Sequence, residues 1–158
     1  SRHPRSFGFH PCKDATVIFA HAQDGGDPKN EPSPEGERDA VFTRDVIVMD
    51  NGGDNDAPSL SEPPAKVCGL EWRFDGIDFT ESGVAIVDEY RWKDRMERKW
   101  RLDSSDNDNK KMLVWERSWE DRYTAPGSPV YRRAPNGYYL IKEASPGQIF
   151  LKGPGASP

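Results

Sequence analysis

The sequence predicts a mainly β protein, an antiparallel meander that forms a small barrel or a curved sandwich. Short segments rich in β-branched and aromatic residues alternate with Gly, Pro, Asn and Asp turn signals. All five tryptophans lie between positions 72 and 119, each beside a charged residue. Such interleaving is typical of elements with one buried face and one solvated face. Without intervening helices or an internal repeat, antiparallel strands are favoured, and a barrel or sandwich would leave few open edges.

Two strands are predicted near the N-terminus. Residues 15–22 are β-branched and apolar over their centre, which indicates a strand. Residues 39–50 form the second, with apolar side chains on both parities in its second half. That pattern predicts burial on both faces there.

The third strand begins near Lys66, and Asp75-Gly76 predicts a tight type I′ turn after it. A second turn at residues 81–83 leads into a strand over residues 84–92. Its alternation places Asp88 on the apolar face, so a buried Asp88 would need a partner, for which Arg98 and Arg117 are the candidates.

Two segments fit either a strand or a short helix, residues 92–101 and residues 111–122. Trp92, Met96 and Trp100 are spaced by four, which fits a helix face. The strong strand signal just before them favours a bent or bulged strand. For residues 111–122, a strand is likewise predicted in preference to a helix.

Further turns are predicted near the C-terminus. Asn136-Gly137 predicts a hairpin between residues 129–133 and 137–142, and residues 145–148 predict another turn. We expect a single β-rich domain over residues 1–152. The polar composition elsewhere predicts disordered loops and a disordered tail, at residues 23–38, 50–65, 103–110 and 153–158.

Composition excludes several classes of protein. The net charge of −5 is unlike that of a typical nucleic-acid binder, so nucleic acid is not the expected partner. No apolar run of 18 residues is present, so no membrane span is predicted. Cys12 and Cys68 are interpreted as two reduced thiols, with a single disulfide in a secreted protein as the alternative. The absence of an N-x-[ST] sequon favours an intracellular protein, cytoplasmic or nuclear.

No catalytic or metal-binding pattern stands out, and no cofactor is expected. His3, His10, Cys12 and His21 do not have the paired spacing of a zinc site. The G-x-S-x-G, P-loop and dinucleotide-binding motifs do not occur. Two sets of charged residues remain as weaker candidates. A nuclease-like acidic set would comprise Asp78, Glu81, Asp88 and Glu89, and a basic run for phosphate or RNA would comprise Arg91, Lys93, Arg95, Arg98, Lys99 and Arg101.

The aromatic residues are the leading candidate site, because five tryptophans exceed what a small core normally uses. The lead hypothesis is a non-enzymatic module that binds a partner protein, a peptide or a small apolar ligand. The alternatives are a barrel-pocket enzyme (a cyclase, isomerase or lyase) acting on a bulky apolar substrate, and an RNA-facing module. The predicted binding residues are Trp72, Tyr90, Trp92, Trp100, Trp115, Trp119 and Arg117.

Overall fold

The computed structural model describes residues 3–46, 63–102 and 111–153, and it confirms the mainly β prediction. Strands make up 55% of it and helical residues 2%. The predicted antiparallel meander is present in each of two four-stranded sheets, and the sheets do not close into the barrel that was one of the two predicted forms. The chain divides into two compact units, Ser1–Glu71 and Trp72–Pro158. The expectation of a single domain over residues 1–152 stays a prediction.

The first unit is one four-stranded antiparallel sheet whose strands follow chain order. Residues 16–22 and 39–45 form its two central strands and are paired along their whole length, from Thr16 opposite Asp45 to Ala22 opposite Asp39. Its strands are β1 Arg5–Phe9, β2 Thr16–Ala22, β3 Asp39–Asp45 and β4 Ala65–Leu70. The strand predicted over residues 15–22 is confirmed, and the one predicted over 39–50 is confirmed as far as Asp45, with residues 47–50 outside the described ranges. The third predicted strand, from Lys66 to the turn at Asp75, is interrupted by a bend at residues 71–72, and no strand is predicted at β1.

One face of this first sheet is buried and mostly apolar, and the fully buried Asp39 on it forms a salt bridge with Arg5. Ile18, Ala20, Val41 and Leu70 also lie on this face, and the last three are fully buried. Because side chains alternate along a strand, the other face carries Phe19 and its neighbours of the same parity.

The second unit contains a second four-stranded antiparallel sheet in chain order. Its strands are β5 Arg73–Phe79, β6 Ala85–Arg91, β7 Met96–Leu102 and β8 Lys111–Ser118. A single 3₁₀ turn, Trp92–Asp94, followed by Arg95 with φ +59°, joins β6 to β7. The bent-strand interpretation of residues 92–101 is therefore confirmed, and residues 111–118 are a strand rather than a helix.

The turn predicted at Asp75-Gly76 is wrong, because both residues lie inside β5. The pairing register of β5 with β6 shifts between Phe74 and Gly76, which marks a β-bulge. Glycine serves a bulge as readily as a turn, so the local sequence did not separate the two. The chain reverses instead at the second predicted turn, where the Thr80 amide donates to the Val84 carbonyl at 2.9 Å.

Short hairpins complete the second unit, and both turns predicted there are confirmed. Gly137 has φ +90°, and the Ala134 amide donates to the Tyr138 carbonyl at 2.7 Å. Gly147 has φ +79° in the turn that follows. The strands are β9 Ser128–Pro129, β10 Tyr131–Arg133, β11 Tyr139–Ile141, β12 Glu143–Ser145, β13 Gln148–Ile149 and β14 Leu151–Lys152.

The predicted loop at residues 23–38 contains turns and bends in the structure. Arg38 crosses it to form a salt bridge with the buried Asp24 at 2.9 Å. Its disorder stays a prediction. The other predicted loops, 50–65 and 103–110, lie outside the described residues apart from 63–65, and so does the tail beyond residue 153. None of the helices in the described ranges is long and apolar enough to cross a membrane.

Candidate functional site

Charged residues occupy the middle of the second sheet and face one another across its strands. Residues directly opposite in an antiparallel pair lie on the same face of the sheet. The register therefore defines two faces, called here the Glu89 face and the Asp88 face. The Glu89 face carries the row Glu89, Arg98 and Glu116, whereas the Asp88 face carries the rows Asp88, Lys99, Trp115 and Tyr90, Glu97, Arg117.

Glu89 is the buried charge of β6, with a relative exposure of 0%. Its carboxylate accepts hydrogen bonds from the Trp72 amide at 2.9 Å and from the Trp100 indole nitrogen at 2.8 Å. Arg98 lies 3.4 Å from one Glu89 oxygen and 2.6 Å from Glu116. A buried carboxylate is tolerated when donors of this kind satisfy it. The sequence placed the buried charge of this strand at Asp88 and missed Glu89.

Trp72 and Trp100 belong to this same buried arrangement. The guanidinium carbons of Arg91 and Arg98 lie 4.1 and 3.8 Å from the centre of the Trp72 ring, within cation–π range. The Lys111 ammonium lies 4.3 Å from the Trp100 ring. With Trp72 only 5% exposed, its ring contributes to the interior of the unit.

On the opposite face, Asp88 forms a salt bridge with Lys99. The expected partners, Arg98 and Arg117, do not form this salt bridge with Asp88, because the register places Lys99 directly opposite it. Arg98 lies on the other face, and Arg117 pairs with Glu97 at 2.6 Å. Burial raises the pKa of Asp88 to about 6, with Lys99 acting in the opposite direction.

Several buried polar atoms of the Asp88 face have no hydrogen-bond partner among the described residues. They are the Asp88 Oδ1, the Tyr90 hydroxyl, the Trp115 Nε1 and the Arg117 Nε. Asp78, which lies opposite Ile86 on this face, accepts a hydrogen bond from the Tyr131 hydroxyl at 2.8 Å, and burial is the main cause that raises the pKa of Tyr131. Buried donors and acceptors are normally satisfied by protein or by ordered water, so this face fits polar rather than purely apolar occupants.

An exposed aromatic pair lies at the end of the sheet where the 3₁₀ turn joins β6 to β7. Trp92 is 71% exposed and Trp119 is 45% exposed. Arg95 contacts both residues, because its guanidinium lies 4.6 Å from the Trp92 ring and its carbonyl accepts a hydrogen bond from the Trp119 amide at 3.0 Å. The Tyr90 ring packs edge-on against Trp92 at 5.7 Å.

Strand β8 ends next to this aromatic pair and forms an open edge of the sheet. In the described part of the chain it pairs with β7 alone. Met112, Leu113 and Val114 are exposed in succession along it. We call β8 together with Trp92 and Trp119 the β8 edge. The run of three consecutive apolar residues is the feature of the sequence that could have indicated an exposed edge strand. In a strand with one buried and one solvated face, side chains alternate, and one or two of the three would be buried.

The seven predicted binding residues are thus distributed over three places. Trp72 and Trp100 lie on the Glu89 face, and Trp92 and Trp119 are exposed at the end of the sheet. The remaining three, Tyr90, Trp115 and Arg117, lie on the Asp88 face. The structure does not gather them into one pocket, and their role in binding stays a prediction.

The weaker candidate sites are dispersed or ion-paired. No group of three or more metal-type ligands occurs in the described ranges, and no disulfide joins the exposed Cys12 to the buried Cys68. Asp88 and Glu89 of the acidic set point to opposite faces, while Glu81 pairs with Arg132 at 3.1 Å. Four members of the basic run form salt bridges with carboxylates, namely Arg91, Arg95, Arg98 and Lys99.

Comparison with known proteins finds two curated relatives. Each is named a probable glutamyl endopeptidase, chloroplastic, one from Oryza sativa subsp. japonica and one from Arabidopsis thaliana. Identity to the rice protein is 34% over 158 residues, covering 98% of this chain and 16% of the relative. Identity to the Arabidopsis protein is 34% over 159 residues, covering 98% of this chain and 15% of the relative. The chain therefore spans about a sixth of their length. No family model and no solved structure matches it.

Proposed function

We propose that this chain is a non-enzymatic binding module that holds an extended polypeptide at the β8 edge. The observation that carries the proposal is the open side of β8, which has a strand neighbour only in β7 within the described residues. An edge strand presents backbone N–H and C=O groups that can pair with an added strand. Its exposed Met112, Leu113 and Val114 offer apolar contacts to that strand.

The aromatic pair at the end of the strand would supply the anchor contacts. Exposed tryptophan and arginine are the residue types that contribute most binding energy at interfaces. The Trp92 ring and the Arg95 guanidinium are already in contact, so these two side chains lose little freedom when a partner binds.

The names of the relatives support polypeptide as the partner class. An endopeptidase acts on a polypeptide, and this chain matches about a sixth of two proteins that carry that name. The sequence has no nucleophile motif of the G-x-S-x-G type, and its three histidines all lie within the first 21 residues. A contribution to holding polypeptide, rather than to cutting it, therefore fits this chain.

One feature of the strand limits how a partner would pair with it. The register of β8 with β7 shifts so that Leu113 lies opposite Trp100 and Trp115 lies opposite Lys99, which leaves Val114 as a bulge residue. Bulges interrupt a ladder and are one of the devices that protect edges. The added strand would therefore pair on one side of Val114, along residues 115–118 or 111–113.

The test is binding of an unfolded polypeptide to the whole chain. Reduced, carboxymethylated ribonuclease A serves as the probe, and affinity is measured by isothermal titration calorimetry. Val114→Lys adds a charge to the edge at a residue without a ladder partner, so it should weaken binding about tenfold and leave the sheet folded. Tyr123→Lys is the control, because Tyr123 is fully exposed outside any strand.

Unchanged affinity in a folded Val114→Lys protein, or an equal loss in Tyr123→Lys, would contradict the proposal. So would the lack of any binding by the unmodified chain. Circular dichroism of each variant separates lost binding from lost folding.

The two alternative functions have less support. A barrel-pocket enzyme needs a closed barrel, and the sheets do not close into one. The RNA-facing alternative relies on the basic run, whose charges are largely neutralised by salt bridges such as those of Arg98 and Lys99. Cytoplasmic or nuclear localisation stays a prediction; the two relatives are named chloroplastic.

A further inference from the structure

The first unit has an apolar pocket that is separate from the β8 edge. Its volume is about 500 Å³, within the range of sites that hold one small molecule. It lies on the face of the first sheet opposite the buried one, since Phe19 and Phe42 face each other across β2 and β3. The lining residues are Pro4, Phe7, Val17, Phe19, His21, Phe42, Arg44, Val46 and Pro64.

The wall of this pocket is a row of aromatic rings. Phe7 and Phe19 have ring centres 5.4 Å apart, and Phe19 stacks on Phe42 at 5.7 Å with an interplanar angle of 18°. His21 packs edge-on against Phe42 at 6.4 Å. Flat rings in a row favour a ligand with an aromatic or straight aliphatic body.

Arg44 is the one arginine or lysine among the lining residues. It lies directly opposite Val17 in the register, on the same face as the phenylalanines. Its Nε is buried and has no hydrogen-bond partner among the described residues. A guanidinium donor that is enclosed beside apolar side chains is expected to have an acceptor, and carboxylate and phosphate groups both match its planar fork.

We propose that this pocket binds a small amphipathic carboxylate, with an aromatic or aliphatic body against the phenylalanines and the carboxylate on Arg44. Charge complementarity selects an anion, and the single guanidinium fits one carboxylate group rather than a multiply charged phosphate. The apolar wall selects the body. The pocket lies in the first unit, so the proposal is independent of polypeptide binding at the β8 edge.

Phenylbutyrate and its neutral counterpart phenylbutyramide test the proposal with the whole chain. Titration calorimetry should show phenylbutyrate binding about tenfold more tightly than the amide, because only the acid forms a charge-assisted pair. Chemical-shift mapping by NMR should place the largest changes at Val17, Phe19 and Phe42.

Arg44→Gln keeps most of the side-chain stem and removes the charge, so it should abolish the preference for the acid while the amide still binds. Lys29→Gln is the matched control, since Lys29 is an exposed cation that does not line the pocket. Phe42→Leu should weaken both ligands while preserving the preference.

Three results would overturn the proposal. They are equal affinities for acid and amide, an acid preference that survives in folded Arg44→Gln, and shift changes outside the pocket. Failure of phenylbutyrate to bind the unmodified chain would also overturn it.

Discussion

The two four-stranded sheets share one topology but differ in what lies at the middle of their strands. In the first sheet the middle of the buried face is apolar, with Val41 fully buried, and the buried charge, Asp39, lies at the end of β3 and forms a salt bridge with Arg5. In the second sheet the middle of β6 and β7 carries charged residues on both faces, including Glu89 and Asp88. A meander can thus be specified either by apolar alternation or by cross-strand charge pairs covered by tryptophan.

The largest expected effect is the removal of the buried charge of the second sheet. Glu89→Ala should lower the free energy of unfolding by about 3–5 kcal/mol, because Arg98 and two N–H groups lose their acceptor in the interior. Glu116→Ala is the control, since it removes a more exposed partner of the same arginine and should cost about 1 kcal/mol or less. Urea unfolding followed by tryptophan fluorescence measures both. Equal losses would mean that burial does not distinguish the two carboxylates.

The corresponding change in the first sheet is an apolar truncation. Leu70→Ala should lower the free energy of unfolding by about 2–4 kcal/mol, because Leu70 is fully buried and the change leaves a cavity. Amide hydrogen exchange of β2 and β3 reports this locally. Leu113→Ala, on the exposed edge strand, should change stability by about 0.5 kcal/mol or less. A loss for Leu113 as large as that for Leu70 would contradict the exposure of the β8 edge.

Alanine substitutions at two glycines with positive φ distinguish the cost of backbone strain from the cost of a steric clash. Gly36 in the first unit has φ +80° and no atom within 4 Å of the position that a Cβ would take, so Gly36→Ala should cost about 1 kcal/mol. Gly127 in the second unit has φ +97°, and a Cβ there would lie 2.7 Å from the Lys152 backbone. Gly127→Ala should therefore cost about 1–3 kcal/mol more than Gly36→Ala. Thermal unfolding of both variants gives the comparison, and similar Tm losses would rule out the close approach of Lys152.

A further expected effect depends on pH and is confined to the second sheet. The folded-state pKa of Asp88 is about 6, above its ordinary value of 3.8. Between these values the folded protein holds a proton that the unfolded chain has lost. Asp88 therefore contributes stability that is fully present below pH 3.8 and is lost as the pH rises through 6.

Comparison with Asp88→Asn isolates this contribution from that of the other carboxyl groups. The free energy of unfolding of the unmodified chain, minus that of the variant, should fall between about pH 4 and pH 6 and level off above it. A difference that is flat with pH, or that rises, would show that Asp88 is not shifted in this direction.

The same contrast explains what the sequence could predict. Strands β2 and β3 and the turns at Gly137 and Gly147 depend on local patterns, and they lie where the sequence placed them. The buried face of β6 was harder to predict from the sequence. Glu89 is buried there because it accepts hydrogen bonds from Trp72 and from β7, and only the pairing of the strands brings these donors together.

The candidate sites were predictable to different degrees. Trp92 and Trp119 are exposed, as surface anchors need to be, whereas Trp72 is used for the interior. The phenylalanine pocket with Arg44 could not be predicted, because its residues come from separate strands and have no shared motif.

The most direct test of the account is hydrogen–deuterium exchange of the whole chain with and without reduced, carboxymethylated ribonuclease A. Strand addition predicts slower exchange of the amides of β8 when the polypeptide is bound, while β2 and β3 of the first sheet remain unchanged. Unchanged exchange in β8, or protection confined to the first sheet, would contradict a polypeptide-binding β8 edge.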